Sequence, residues 1–358
     1  RSWPQTASVS SRWSCVTTPA GNRWPALGRL VGCGTAAAGR SHLERRDARA
    51  SRDPLASADV IALGLDLGGT KIAAAVVRAG RILDRTRLET PQSGFDDVLD
   101  ALADAAKPLL ASHPAVEVVG IGCPGPLDFE RGRVRFAPNI AGMEDAPLVE
   151  ALAERVGLPV VLENDANAAG YAEHRFGAAR DLATSVYVTL STGIGGGVFV
   201  GEEVLRGAHG LAGEIGHMVL LPGGPTGGDG HPGTWEALAA GRAIARDASY
   251  VFSRPVSTEE AFALAREGDR RALAIVDQAA RFTGLGLANL VKVVDPAGFV
   301  LGGGLIGVGA FYLDRVRAAL DEALVGYPPA VMRTAELGGD AGVIGAAAVA
   351  EHVHLHPR

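Results

Sequence analysis

Ile61-Ala62-Leu63-Gly64-Leu65-Asp66-Leu67-Gly68-Gly69-Thr70-Lys71-Ile72-Ala73-Ala74-Ala75-Val76-Val77 is the stretch on which the fold turns. Residues 61–66 read as a short apolar strand, Gly68-Gly69 as a turn, and residues 71–77 as a second strand ending in the hairpin turn Arg78-Ala79-Gly80. Outward from there, residues 95–110 place Val98, Leu99, Leu102, Ala106 and Leu109 at the spacing of a one-faced helix. Residues 116–123 form a buried-type strand stopped by Pro124-Gly125-Pro126. A helix over 148–156 and a strand over 159–162 lead into Glu163-Asn164-Asp165-Ala166-Asn167, and a helix is expected over 168–176.

The second half repeats this grammar. A strand over 185–190 meets the glycine-rich turn 193–197, and residues 198–200 resume the strand. Helices follow over 235–252, 259–267 and 270–293, then a strand over 298–301 that ends in Gly302-Gly303-Gly304, then helices over 311–324 and 343–353. Strand pairs closed by glycine turns and alternating with long helices, twice over, predict a two-lobed α/β protein with a similar sheet in each lobe. The cleft between the lobes is then the natural ligand site. The expected division is a small α/β domain at 60–167, a larger one at 168–342, and a C-terminal helix at 343–358 that packs back on the small domain. Residues 1–59 stand apart: rich in Arg and Ser, poor in acids, holding Trp3, Trp13 and Trp24, and without useful periodicity. They are expected to form a disordered tail outside the core.

Composition removes several classes of function. The 358 residues carry a formal net charge of -6, which disfavours a general binder of nucleic acid or anionic membranes. No run of about 18 uncharged apolar residues exists, so no membrane helix is expected. Cys15, Cys33 and Cys123 are far apart, which fits a reducing cytoplasm better than a disulfide framework.

The chemistry concentrates in five segments. In Asp66-Leu67-Gly68-Gly69-Thr70-Lys71 the glycines let backbone N–H groups approach phosphates, Thr70 adds a hydroxyl, and Asp66 at the strand end can hold Mg²⁺. It is not a Walker P-loop, because GxxxxGK[ST] is absent. A plain hairpin would also use Gly-Gly. The same two readings apply to Ser191-Thr192-Gly193-Ile194-Gly195-Gly196-Gly197, but one such loop per lobe suggests two walls gripping one triphosphate. Gly302-Gly303-Gly304 leaves room for a flat ring against the backbone. Asn164 and Asp165 offer an amide for sugar hydroxyls and a carboxylate to take a proton; as a bland alternative, either would cap the next helix. Glu214 and His217 of Gly213-Glu214-Ile215-Gly216-His217, with Glu236, can bind adjacent hydroxyls together.

In their joint order, DLGGTK, ENDAN, STGIGGG, GEIGH and WEALAAG resemble the ROK family of bacterial sugar kinases, within the actin-like and hexokinase-like ATPases, from about Ile61 to the C-terminus. The chain is most similar there to glucokinases. The resemblance implies a duplicated ribonuclease H-like motif with the active site in the interdomain cleft, Asp165 as catalytic base, and ATP with Mg²⁺. It implies sugar contacts from Asn139, Asn164, Asp165, Glu214, His217 and Glu236. Gly68, Gly69, Thr70, Lys71, Thr192 and Gly193 would meet the phosphates, and Gly303 and Gly304 the adenosine. It further implies a cytoplasmic homodimer acting in carbohydrate metabolism, with glucose as the expected substrate and ATP as donor. Fructose, mannose, an N-acetylhexosamine and a polyphosphate donor remain open. Repressors of the family carry an N-terminal winged helix-turn-helix, for which residues 1–59 show no pair of amphipathic helices.

One departure stands out. Family members usually hold a structural Zn²⁺ with the His of GEIGH and three cysteines. Here Gly227, Asp229 and Thr234 occupy the cysteine positions, so a thiolate site cannot form and Zn²⁺ is expected to be absent. Asp229 and His231 are the residues left that could join His217 around a metal.

Overall fold

The computed structural model describes residues 60–137, 139–228 and 230–357. The expected tail at 1–59 lies outside the described residues, as does Asp229.

The first lobe opens with β1 (Ile61–Leu67), β2 (Lys71–Arg78) and β3 (Arg81–Glu89), an antiparallel meander around the two expected turns. Helix α1 (Phe95–Ser112) crosses over to β4 (Val116–Cys123), which lies parallel to β1. A three-stranded flap that the periodicity did not reveal follows: β5 (Leu127–Asp128), β6 (Arg133–Phe136) and β7 (Glu144–Ala146). These strands are too short for alternation to register. Helix α2 (Leu148–Val156), β8 (Val160–Asn164) and α3 (Asp165–Arg175) complete the unit. Helix α3 therefore begins three residues before the expected 168, because Asn164 caps it: its side-chain oxygen accepts from the backbone N–H groups of Ala166 and Asn167 at 3.0 and 3.1 Å.

The second lobe begins with β9 (Thr184–Leu190), β10 (Ile194–Val200) and β11 (Glu203–Val204). Gly195, Gly196 and Gly197 belong to β10, not to a turn, and pair with Thr189, Val188 and Tyr187. Close packing explains their identity. A Cβ on Gly196 would lie 2.4 Å from the Ile215 side chain, and one on Gly197 would lie 2.7 Å from Asn167 Oδ1. The helix expected over 235–252 is broken into α4 (Trp235–Ala239) and α5 (Gly241–Phe252). Ala240 is extended there, and the N–H groups of Gly241 and Arg242 turn to the carbonyls of Ser191 and Thr192 at 2.8 and 3.2 Å. Helices α6 (Thr258–Arg266) and α7 (Arg270–Val294), strand β12 (Gly298–Gly302), helix α8 (Ala310–Ala323) and strand β13 (Met332–Thr334) follow.

The two sheets share one plan. Their orders are β3-β2-β1-β4-β8 and β11-β10-β9-β12-β13, each with an antiparallel meander on one side and parallel strands on the other. The last helix, α9 (Ala341–Leu355), returns to the first lobe and lies on β1 and β4 and against α3. Glycines permit that approach: a Cβ on Gly64 would meet Val343 O at 1.9 Å, and one on Gly345 would meet Ala168 O at 1.7 Å. No helix among the described residues is long and apolar enough to cross a membrane.

Candidate active site

The ends of β1, β8 and β9, the start of α9 and the segment at 210–217 border one cavity of about 1410 Å³. Of the residues singled out from the sequence, Asp66, Lys71, Asn139, Asn164, Asp165, Gly193, Glu214, His217, Glu236 and Gly303 line it. Thr192 and Gly304 line a neighbouring cavity of about 520 Å³. Gly68, Gly69 and Thr70 line neither. Their turn is tied to the segment that follows β3: Gly68 O accepts from Thr90 Oγ1 at 2.7 Å, and Gly69 O accepts from Gln92 Nε2 at 2.9 Å.

Asp165 is the first residue of α3, half-buried, with Oδ1 accepting from the Ala166 N–H at 2.8 Å. Burial raises its carboxyl above the ordinary aspartate range, against backbone N–H groups that favour the anion. Burial, and then the charge of Asp165, push Asp66 up to about 6, against the pull of Lys71. Cys123, the last residue of β4 and paired there with Asn164, is driven upward by burial and by the charges of Asp165 and Asp66. Glu214 is also raised, first by burial; His217 opposes the rise, its Nδ1 lying 3.5 Å from Glu214 Oε2, while Asp165 and Glu236 add to it. Four carboxylates, Asp66, Asp165, Glu214 and Glu236, thus line one cleft.

Glu236 is anchored by the Ile194 N–H, which donates to its Oε2 at 2.9 Å. Gly193 beside it has no room for a side chain, since a Cβ would stand 2.4 Å from that oxygen. The segment before Glu236 holds its shape without thiolates. Leu220 N and Leu221 N both donate to Gly233 O, Gly233 N donates to Pro225 O, and Gly227 N donates to His231 O. Thr234, at one former cysteine position, is fully buried and caps α4 through Ala237 N at 3.2 Å.

Sequence reasoning assigned no role to Glu163, although it stands in the ENDAN segment. It is 1% exposed; Oε1 accepts from Asn164 N at 2.9 Å and from Asn167 Nδ2 at 3.0 Å, while Oε2 accepts from Arg206 Nε at 2.9 Å. The Arg206 guanidinium also covers the Phe129 ring at 5.4 Å. The signal available was a lone acidic residue at the buried end of a strand, which demands a cation; nothing local says which one.

This arrangement places carboxylates, amides and an imidazole where several hydroxyls could be held, with a partly desolvated carboxylate at a helix start and a glycine turn opposite. The chain is 49% identical to a ROK hexokinase from Thermus thermophilus, with a TM-score of 0.79 over 83% of this chain and 99% of that one. A ROK family glucokinase from Streptomyces griseus, solved with glucose and AMPPNP, is 39% identical with a TM-score of 0.71, covering 82% of this chain and 99% of its own. The glucokinase of Streptomyces coelicolor is 39% identical over 311 residues, 81% of this chain and 97% of that relative. The fold is therefore the two-lobed hexokinase-like ATPase fold. With residues 62–353 matching its description throughout, this chain belongs to the ROK family.

Proposed function

We propose that the protein is an ATP-dependent hexose kinase that converts glucose and ATP to glucose 6-phosphate and ADP, with Asp165 as general base. The observation that carries this reading is the position of Asp165, on one cavity with Asn139, Glu214, His217 and Glu236 and with the turn at 191–193. The likeness to glucokinases supports glucose as the acceptor.

The residues divide the work by chemistry. Asn139, Asn164, Glu214, His217 and Glu236 orient the sugar hydroxyls. Asp165 accepts the proton of the primary hydroxyl as that oxygen attacks the γ-phosphorus and the bond from phosphorus to the ADP oxygen breaks. Its raised pKa moves the base toward the working pH, which favours proton acceptance. Thr192 and Gly193 present the second-lobe phosphate wall, and the adenosine lies toward Gly303 and Gly304. Gly68, Gly69 and Thr70 line neither cavity, so their part in phosphate binding requires the lobes to close on the donor.

Among the described residues no group of three or more His, Cys, Asp or Glu side chains could hold a metal. Asp66 lines the large cavity as a single carboxylate beside Lys71, a setting that suits Mg²⁺, which takes one or two protein carboxylates and completes its shell with phosphate oxygens and water. Asp66, raised by burial and by a second carboxylate, is the residue that would hold it. Bound there, the ion would supply charge neutralisation for the phosphate oxygens.

A coupled ADP-release assay over glucose, mannose, fructose, N-acetylglucosamine and N-acetylmannosamine tests the reading. The highest kcat/KM is expected with glucose. ADP release no faster with any sugar than without one would end the kinase proposal.

A further inference from the structure

Arg242 is the second residue of α5, and its place is fixed by the main chain. Gly241 N donates to Ser191 O and Arg242 N to Thr192 O, so the start of α5 is joined to the turn between β9 and β10. Only Ser191 and Arg242 are common to the linings of the two cavities, which puts this side chain at their junction. The residue is exposed, and its Nη1 would lie 3.4 Å from a Cβ on Gly228, on the loop that precedes α4.

Its charge stands out against its surroundings. Asp66, Asp165, Glu214 and Glu236 make the large cavity acidic, and Lys71 and Arg242 are the lysine and arginine that line it. Yet Arg242 makes no ion pair within 4.0 Å with any carboxylate among the described residues. Arg266, the other arginine on the small cavity, is committed elsewhere: its Nη2 donates to Val308 O and its guanidinium covers the Phe311 ring. An exposed guanidinium without a carboxylate partner among the described residues, on a residue that borders both cavities, suits an anion that spans them.

We propose that Arg242 is a donor-binding residue whose guanidinium grips the polyphosphate tail of the nucleotide between the two cavities. The inference rests on the kinase reading above, and adds to it a residue that the glycine turns do not supply. The chemistry fits. A planar fork of N–H donors matches phosphate oxygens two at a time, which a lysine ammonium cannot do. The need is also specific, since a phosphate chain delivered to a cleft with four carboxylates meets repulsion that backbone N–H groups alone offset only in part.

The test compares wild type with Arg242→Ala and Arg242→Lys by calorimetric binding of Mg²⁺–AMPPNP and of AMP, alongside steady-state kinetics and thermal unfolding. AMP carries the adenosine but lacks the tail. Arg242→Ala is expected to weaken AMPPNP and to raise the KM for ATP by about tenfold or more, the scale of a lost charge-assisted hydrogen bond. AMP affinity, the KM for glucose and the unfolding midpoint should stay near wild type, and Arg242→Lys should recover only part of the loss. Unchanged AMPPNP affinity in Arg242→Ala, or an equal loss for AMP and AMPPNP, would overturn the assignment while leaving the kinase reading in place. Failure of the wild type to bind AMPPNP would instead remove both.

Discussion

Glu163 and Arg206 are bonded through the arginine Nε at 2.9 Å across 43 positions of sequence, and the same glutamate holds the main chain of Asn164. One buried carboxylate thus connects the strand end that carries Asp165 with the loop that leads to Glu214. Arg206→Ala leaves that carboxylate buried and uncompensated, at a cost of about 3 kcal/mol of folding stability. Urea denaturation should show it, together with a fall in kcat as the unneutralised Glu163 shifts from its place against Asn164 and Asn167. Arg206→Lys should recover stability incompletely, because an ammonium cannot reproduce the guanidinium fork.

Asp165→Asn keeps the shape of the site and removes the proton acceptor. The variant is expected to fold normally and to lose roughly two to four orders of magnitude in kcat, the range for loss of a general base. Circular dichroism and the coupled assay measure both. Turnover near wild type would refute the role given to Asp165.

The Asp66 carboxyl ionises near 3.8 when unconstrained and near 6 in the fold, so between those values the folded chain holds the extra proton. Its contribution to stability is full below about pH 4 and is lost as pH rises through about 6. The rise corresponds to roughly 3 kcal/mol at most. Asp66→Asn should therefore make the ligand-free protein more resistant to unfolding at pH 8, with the gain shrinking as the pH approaches 4. Because the anion is the form that would hold Mg²⁺, the same variant should be nearly inactive. Wild-type kcat/KM should fall as the medium is acidified through pH 6. Equal stability of variant and wild type at pH 8 would contradict this account.

Gly345→Ala sets two effects against each other. Helix propensity favours alanine by about 1 kcal/mol. Against it, the new Cβ would stand 1.7 Å from Ala168 O, and a backbone carbonyl in a packed helix cannot step aside. Overpacking costs of about 1 to 3 kcal/mol or more should prevail, and the melting temperature should drop by about 5 °C.

The loop from Leu221 to Thr234 is closed by main-chain bonds from Leu220, Leu221, Gly227 and Gly233 and by the buried Thr234 cap. Purified protein should therefore contain no stoichiometric zinc by elemental analysis, and a strong zinc chelator should leave its melting temperature unchanged. One zinc per chain, lost together with stability, would show that other donors replace the cysteines.

Much of this was legible along the chain because it depends on neighbours. The strand runs, the turns at Gly68 and Gly193 and the helix after Glu163 follow from backbone preferences and from periods of two and 3.6. The motif residues came with them: Asp66, Asn164, Asp165, Glu214, His217 and Glu236 all line one cavity. Two of the errors had a common cause. The break at Ala240 and the strand identity of Gly195 to Gly197 answer to partners elsewhere, Ser191 and Thr192 in one case, Ile215 and Asn167 in the other.

The sequence alone determined two similar α/β units, their glycine turns and the kinds of side chain offered to a cleft, since each is written within a dozen neighbouring residues. The return of the last helix to the first domain was an expectation of the sequence, but tertiary structure alone decided that Gly64 and Gly345 are the points of close approach, that Arg206 answers Glu163, and that Arg242 stands where two cavities meet. Those choices depend on packing density and on pairing buried charge across long stretches of chain, and no local preference encodes them.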